Sequence, residues 1–180
     1  MRRRQNGRLH RFHRQHLAAT MKTFAAAALL ATTAVFAQTA PSIGQGPGYH
    51  DPRSPFKPLE ERADIVSWKL LSQVTARAEK KKIIPTFPAS VQALDRKTVK
   101  VQGFMMPLEA GDKQQHFLLS SVPTTCSFCV PAGPEGLVEV RTKKPVRYTL
   151  EPVVVEGQLA VLNDDPYGLY YRVEDGNAVN

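Results

Sequence analysis

The sequence predicts a mainly β protein, a five-stranded OB-like barrel with one N-terminal α-helix. Five short apolar segments follow residue 89, and turn-forming residues separate them. Gly103 interrupts the first segment, as glycine does where a strand bends sharply. Closing such strands into a barrel removes the exposed edges that would promote aggregation. A small β-sandwich is the alternative architecture.

A helix is predicted for residues 58–82, ahead of the barrel. Pro58 is tolerated in a first helical turn, and two acidic residues follow it at the positive end of the helix dipole. Apolar residues then recur at helical spacing at Val66, Leu70 and Val74. We expect this stripe to dock on the barrel through Trp68, the only tryptophan. Basic residues at 80–82 favour the negative end of the dipole and would end the helix.

Alternating or continuous apolar character defines each strand. The predicted strands are 98–106, 116–122, 137–141, 150–155 with apolar pairs continuing to 161, and 169–173. Pro107 ends the first strand, and residues 110–113 form a turn. Residues 163–168 form a second tight turn, which is a more direct explanation of their Asn-Asp-Asp run than calcium binding.

The N-terminal residues 1–37 predict a secretion signal. Seven of the 24 Lys and Arg residues lie in residues 1–22, which contain no acidic residue. The apolar run that follows, 24–37, is too short and too rich in small residues for a membrane span of about 20 strongly apolar residues. We expect cleavage after Ala37, with Ala40 as second choice and an uncleaved anchor as the alternative. Met21 would make a normal start, so residues 1–20 are an upstream extension or a long basic n-region.

Cleavage would leave a periplasmic or secreted protein with no stable membrane span. Residues 38–58 are rich in proline and glycine and predict a flexible linker, in which His50 is interpreted as solvated. Residues 59–180 would form the helix and barrel domain. Beyond residue 22, 17 basic residues stand against 16 acidic ones, so this domain has no electrostatic basis for binding nucleic acid.

The chemistry of the sequence is concentrated in Cys126 and Cys129, its only two cysteines, in the loop after the second predicted strand. In an exported protein such a pair can form a disulfide, and two thiolates also suit zinc or copper(I). Four interpretations stay open. They are a soft-metal site, a structural disulfide, a thiol–disulfide redox pair, and two buried thiols that only pack.

His116, Met105 and Met106 carry further donor atoms for a soft metal. Antiparallel pairing of the first two strands is expected to bring these three residues together, at the end of the barrel away from the cysteines. A closed zinc site needs four ligands, whereas a two-coordinate copper(I) site needs only the two thiolates.

Several segments together are similar to one known family. They are 67–71 (Ser-Trp-Lys-Leu-Leu), 99–108, 117–119 with the cysteine loop, 153–159 and 167–171. They resemble an exported bacterial domain-of-unknown-function family, series number 3299. The resemblance implies an OB-like barrel, no catalysed reaction, and gene neighbourhoods for metal uptake and export by ABC-type transporters. The family loop reads Cys-x-His before a run of prolines, whereas this chain has Phe128 at the histidine position and Cys129 next, so only Cys126 carries over.

We therefore expect a non-catalytic accessory protein that binds or hands over zinc or copper(I) through Cys126 and Cys129. The resemblance implies an envelope transporter or a metal-uptake component as its partner. Two alternative functions use the same pair: a thiol–disulfide redox protein, and an envelope interaction module whose disulfide is structural.

Overall fold

The computed structural model describes residues 46–80 and 82–179, so the predicted signal region with Ala37 and Ala40 lies outside the described residues. In chain order the elements are α1 (Trp68–Leu71), β1 (Thr75–Glu79), β2 (Lys82–Thr86), α2 (Ala89–Gln92), β3 (Thr98–Pro107), β4 (Lys113–Ser120), a 3-10 turn (Pro134–Gly136), β5 (Leu137–Arg147), β6 (Val153–Val161) and β7 (Tyr171–Val179). None of the helices in this described part is long and apolar enough to cross a membrane.

Five strands close into a barrel in the order β3-β4-β5-β7-β6, which confirms the predicted mainly β, OB-like fold. β5 and β7 pair in parallel, and the other neighbours pair antiparallel. β3 pairs with β6 as far as Gly103 and with β4 from Phe104 onwards, so the strand changes partner at the glycine. A Cβ atom at Gly103 would lie 2.9 Å from the carbonyl oxygen of Ser120, so the strands approach too closely there for a larger residue.

Alternate residues of the barrel strands point inward and are fully buried. They include Val101, Phe117, Leu119, Val138, Val140, Val155, Leu159, Tyr171 and Val173. Leu71 of α1 and Val91 of α2 join the same core. Each fully buried Val or Leu side chain contributes about 1.5–3 kcal/mol, so this interior provides a rigid frame for the loops.

The helix predicted over residues 58–82 is much shorter in the structure. α1 spans a single turn, capped by the Ser67 hydroxyl, which accepts a hydrogen bond from the Lys69 amide. Residues 75–86 instead contain the β1–β2 hairpin, and every residue of β1 is exposed. Because β1 reads Thr-Ala-Arg-Ala-Glu, it offers no large apolar side chain that would bury a helical stripe beyond Val74.

Trp68 fastens this segment to the barrel, as predicted. Its indole Nε1 donates a hydrogen bond of 2.8 Å to the Gln102 carbonyl, and the ring packs against the core. The Val66 amide donates to the Lys100 carbonyl at 2.9 Å. Two residues of β3 thus hold the segment, and one helical turn suffices to bring Leu71 into the core.

Candidate functional site

The two cysteines lie in the cysteine loop, residues 121–136, which connects β4 to β5 at the rim of the barrel. Cys126 and Cys129 form a disulfide whose Cα atoms are 5.4 Å apart. The backbone turns tightly between them, with the Cys129 amide donating to the Cys126 carbonyl at 3.3 Å. Cys126 is only 7% exposed, whereas Cys129 is half-buried. Of the two cysteines, Cys129 is therefore the more exposed.

Local sequence explains where β4 stops and the loop begins. The Ser120 hydroxyl donates to the Val122 carbonyl at 2.7 Å and accepts from the Val122 amide at 3.3 Å, which bends the chain. Pro123 has no amide hydrogen and cannot extend the strand ladder. Its carbonyl accepts instead from the Cys126 amide at 3.3 Å, which sets up the turn before the disulfide.

Residues 46–56, called the strap below, run beside the cysteine loop. Tyr49 and Val130 form an isolated antiparallel bridge and exchange backbone hydrogen bonds of 3.0 and 2.9 Å. The Gly133 amide donates to the Gly46 carbonyl at 2.9 Å. Three backbone hydrogen bonds therefore join the strap to the part of the loop that follows the disulfide.

Side chains add to this attachment. The Ser121 hydroxyl donates a hydrogen bond to the Pro47 carbonyl. The Arg53 guanidinium lies 4.7 Å from the centre of the Phe128 ring, a cation–π contact with one of the two residues between the cysteines. Arg53 is oriented by two hydrogen bonds to the Asp51 carboxylate, which hold the pKa of Asp51 at about 2. Both groups are therefore charged at neutral pH.

The strap lies within the flexible linker predicted over residues 38–58, of which residues 38–45 lie outside the described residues. The glycines that suggested flexibility instead permit close approach. Gly48 has a φ of 78°, and a Cβ atom there would lie 2.9 Å from the Val130 carbonyl oxygen. A Cβ atom at Gly136 would lie 2.9 Å from the Pro47 carbonyl oxygen. Composition alone cannot distinguish these two uses of glycine.

His50 is packed into the protein rather than solvated as expected. Its ring lies 6.2 Å from the Phe104 ring, and its Nε2 is 3.0 Å from the Phe56 carbonyl. A carbonyl only accepts hydrogen bonds, so Nε2 is the donor in this contact. Nδ1 is buried and has no hydrogen-bond partner within the part of the chain that the structure describes.

The other predicted donor residues lie away from the disulfide bond. His116 lies on β4, ahead of the Phe117↔Pro107 pair, and its Nε2 is 2.7 Å from a Glu139 carboxylate oxygen. At about 3.4 Å per strand residue, His116 is more than 10 Å from the end of β4, where the cysteine loop starts. Met106 pairs with Leu118 and is half-buried.

Met105 lies nearer to the cysteine loop than the sequence suggested. It pairs with Leu119, one residue before the end of β4, and lines a small cleft with Pro123 and Thr124. Its side chain is 4% exposed and belongs to the barrel core. Across residues 46–80 and 82–179, no three or more His, Cys, Asp and Glu side chains are grouped to hold a metal ion. The described residues thus offer two sulfurs without further ligands from these residue types.

A charged cluster on the outer face of the barrel was not predicted from the sequence. Glu139, whose side chain is 4% exposed, accepts from Arg172 at 2.6 Å, from Arg141 at 3.1 Å and pairs with His116. Arg172 also donates to Asp165 at 3.1 Å. The alternation of Val138, Glu139 and Val140 marks the glutamate as outward-facing, but no pattern reveals that side chains from the two neighbouring strands cover it.

This cluster is fully paired and serves the structure. Burial by itself raises the pKa of Glu139, but hydrogen bonds from Arg172, His116 and Arg141 outweigh it and lower the pKa below its ordinary value. Asp165 also accepts from the Tyr167 and Leu169 amides at 2.9 and 3.2 Å. The predicted turn over residues 163–168 is therefore present and tied to β7 through Arg172.

The fold and loop together define a small closed β-barrel protein with a Cys-x-x-Cys pair at its rim. The model of the family DUF3299, described as a protein of unknown function, matches residues 37–167. Because this match spans well over half of the chain, the protein belongs to that family.

A crystal structure of a DUF3299 family protein from Pseudomonas aeruginosa PAO1 shares 26% sequence identity with this chain, at a TM-score of 0.37. The alignment covers 49% of this chain and 64% of that chain. Among curated proteins there is no significant match.

Proposed function

We propose that the protein is an exported, non-catalytic accessory protein that holds one soft metal ion between Cys126 and Cys129 and hands it over. One observation carries the proposal: the two sulfurs are close enough to be bonded to each other. Once the disulfide is reduced, both thiolates can therefore reach a single ion. Thiolates are the ligands that copper(I) and zinc favour among protein side chains.

The ligand count favours copper(I) over zinc. A structural zinc site almost always has four protein ligands. The described residues around the loop contribute two cysteines, while His116 is engaged by Glu139 and Met105 is buried in the core. Copper(I) can be held by two thiolates alone, so the pair is sufficient without a rearrangement of the barrel.

The position of the pair also supports release to a partner. Cys129 is half-buried, and the neighbouring Phe128 is 49% exposed. A donor or acceptor thiolate can thus approach Cys129 and exchange ligands on the ion one at a time. An envelope transporter or another metal-uptake component is the partner that we propose for this exchange.

The test is a titration of the reduced protein with copper(I) under anaerobic conditions, in competition with a chromophoric copper(I) chelator. The proposal predicts one ion per chain and loss of binding in Cys129→Ser. The variant Ser127→Ala, which changes the same turn but keeps both thiols, is the matched control and should bind as the unmodified protein does. Equal binding by Cys129→Ser would overturn the proposal.

Thiol–disulfide exchange is the second candidate, because the pair is disulfide-bonded and Cys129 is half-buried rather than buried. Cys129 would be the sulfur attacked. A cysteine thiol is activated when it lies at a helix N-terminus. No such helix follows Cys129, because Pro131 comes next in the loop and residues 134–136 form only one 3-10 turn. A reduction potential well above about −300 mV, with rapid reaction toward a dithiol, would favour this candidate. If neither metal binding nor thiol–disulfide exchange occurs, the remaining candidate function is an interaction module whose disulfide is structural.

Export rests on the sequence of residues 1–37 and is part of the same proposal. The family match begins at residue 37, which supports a processed leader ahead of the family domain. Intact mass measurement of protein purified from the native host should give a chain that starts at Gln38. A mature chain that retains residues 1–37 would contradict cleavage, and fractionation with the cytoplasm would contradict export.

A further inference from the structure

We infer that the strap is a redox-controlled arm, held on the barrel by the Cys126–Cys129 disulfide and released when the disulfide is reduced. The inference concerns regulation of the proposed site and rests on the proposed function in one respect, the reduction of the cysteine pair before an ion is loaded. In that step a dithiol reductant is oxidised to its own disulfide. The Cys126–Cys129 S–S bond breaks, and two S–H bonds form with the two electrons and two protons.

The contacts of the strap are concentrated on the cysteine loop. Its two reciprocal hydrogen bonds go to Val130, the residue that follows Cys129. Its cation–π contact goes to Phe128, the residue that precedes Cys129. The Gly46 carbonyl of the strap accepts a hydrogen bond from the Gly133 amide. Both immediate neighbours of Cys129 are therefore strap contacts, and their positions depend on how that residue is fixed.

The disulfide is the covalent constraint on that residue. Without it, the turn would be closed by the hydrogen bond from the Cys129 amide to the Cys126 carbonyl, which is 3.3 Å long. Prolines at 123 and 131 restrict the flanks of the turn but add no hydrogen-bond donors. Reduction therefore increases the conformational freedom of Phe128 and Val130, and the ordered strap must then be held by partners that are themselves mobile.

One feature of the docked strap favours its release. His50 Nδ1 is buried without a hydrogen-bond partner among the described residues, which is a cost of the docked state that release would remove. Against this, the rings of His50 and Phe56 cover Phe104, which is 3% exposed. When the free energies of the docked and released states are nearly equal, one local constraint such as a disulfide decides which state is populated.

Release would also open the inner side of the loop. Phe104 packs against Phe56 of the strap and also lines a cleft with Pro123 and Thr124, which precede Cys126 in the loop. In the docked, oxidised state Cys126 is 7% exposed. A released strap gives an incoming ion a wider approach to the loop, so reduction would both create the thiolates and clear the path to them.

Amide hydrogen exchange followed by NMR tests the inference on the full mature chain. The informative amides are those of Tyr49 and Val130, which protect each other in the bridge. We expect reduction with a dithiol to accelerate their exchange by about tenfold or more, as for a segment that opens locally. The Val66 amide, bonded to Lys100 outside the strap, should exchange at an unchanged rate.

Two glycine variants provide the matched control. Gly48 and Gly168 have nearly equal φ angles of 78° and 76°, but only Gly48 has neighbours that a Cβ atom would contact. Gly48→Ala should therefore release the strap in the oxidised protein and give fast exchange at Val130 in both redox states. Gly168→Ala introduces the same backbone strain and should leave the redox dependence intact.

Equal exchange at Tyr49 and Val130 in oxidised and reduced protein would overturn the inference, as would a redox response that persists in Gly48→Ala. Neither result depends on copper. If reduction releases the strap but the reduced protein binds no copper(I), the proposed function fails and the inference stands. If copper(I) binds and the strap stays protected throughout, the inference fails and the proposed function stands.

Discussion

The barrel and its rim are stabilised in different ways. The barrel interior consists of alternate apolar residues that are fully buried, such as Phe117 and Tyr171, and continuous strand pairing surrounds them. In the rim, formed by the strap and the cysteine loop, the strap is joined to the loop by three backbone hydrogen bonds, the hydrogen bond from the Ser121 hydroxyl to the Pro47 carbonyl and one cation–π contact, and the loop contains one disulfide. Each rim contact is local, so we expect the loss of one to leave the core closed. The rim should therefore be able to change state while the barrel stays folded.

A pair of identical substitutions in the two regions tests this contrast most strongly. Phe117 is fully buried in the core, whereas Phe128 is 49% exposed on the cysteine loop. We expect Phe117→Ala to lower the free energy of unfolding by about 3–5 kcal/mol because it leaves a cavity. Phe128→Ala should change it by less than about 1 kcal/mol. Urea unfolding of both variants measures the difference, and similar losses would mean that the rim is part of the cooperative core.

The charged cluster outside the barrel should give the next largest effect. Glu139→Gln removes a buried negative charge and replaces one of two acceptor oxygens with an NH2 donor that faces an arginine, and it should cost about 2–3 kcal/mol at neutral pH. Glu174→Gln is the control, since Glu174 lies 3.7 Å from the same Arg172 but is 41% exposed. Urea unfolding at neutral pH compares the two variants, and an equal loss in both would contradict a special role for Glu139.

The same cluster predicts a pH dependence. Because the folded-state pKa of Glu139 lies below its ordinary value of 4.5, its ionised form stabilises the fold above that pH. This contribution should be lost as the pH falls below 4.5 and through the lower folded-state pKa. The stability difference between the unmodified protein and Glu139→Gln should therefore shrink in acid. A difference that is constant from pH 7 to pH 3 would contradict the assignment.

Loss of the disulfide should have a smaller effect on global stability. The bridge closes a loop with a sequence separation of 3, so the chain-entropy contribution is small, about 1–2 kcal/mol. The double variant Cys126→Ser/Cys129→Ser should therefore stay folded and lose only that amount in urea unfolding. Ser127→Ala controls for a change inside the same turn. A loss above about 3 kcal/mol would show that the bridge supports the barrel and not only the rim.

The smallest effect is expected for the cation–π contact. Arg53→Ala should accelerate exchange of the Tyr49 amide by about twofold to fivefold, as for an exposed contact of this kind, without a measurable change in unfolding. Arg53→Lys keeps the positive charge, so its Tyr49 amide should exchange at a rate between those of the unmodified protein and Arg53→Ala. If Arg53→Ala leaves Tyr49 exchange unchanged, the contact with Phe128 does not help to hold the strap.

The same contrast explains what the sequence could predict. The strands were recognisable because apolar alternation is a repeated pattern, and the change of partner in β3 follows from a single glycine, Gly103. β7 was predicted to end at 173 but continues to Val179 through a polar stretch, which pairs with β6. Hydrogen-bonding partners in neighbouring strands, rather than apolar residues, keep that stretch in the sheet.

The candidate site was only half predictable. Cys126 and Cys129 were evident from their spacing, and their place in the loop after β4 follows from the strand pattern. The strap was missed because it is held by backbone carbonyls and by close approach at Gly48, which leave no periodic pattern in the sequence. The helix over 58–82 was overestimated because periodicity through Val74 was extended into residues that form β1.

The central claim is that the two sulfurs alone hold the metal ion. X-ray absorption at the copper edge, on reduced protein loaded with one equivalent of copper(I), tests it most directly because it reports the atoms that bind the metal. We predict a first coordination shell that contains two sulfur atoms and no nitrogen or oxygen. A shell with nitrogen or oxygen donors, or loading that persists without sulfur in the double cysteine variant, would contradict the account.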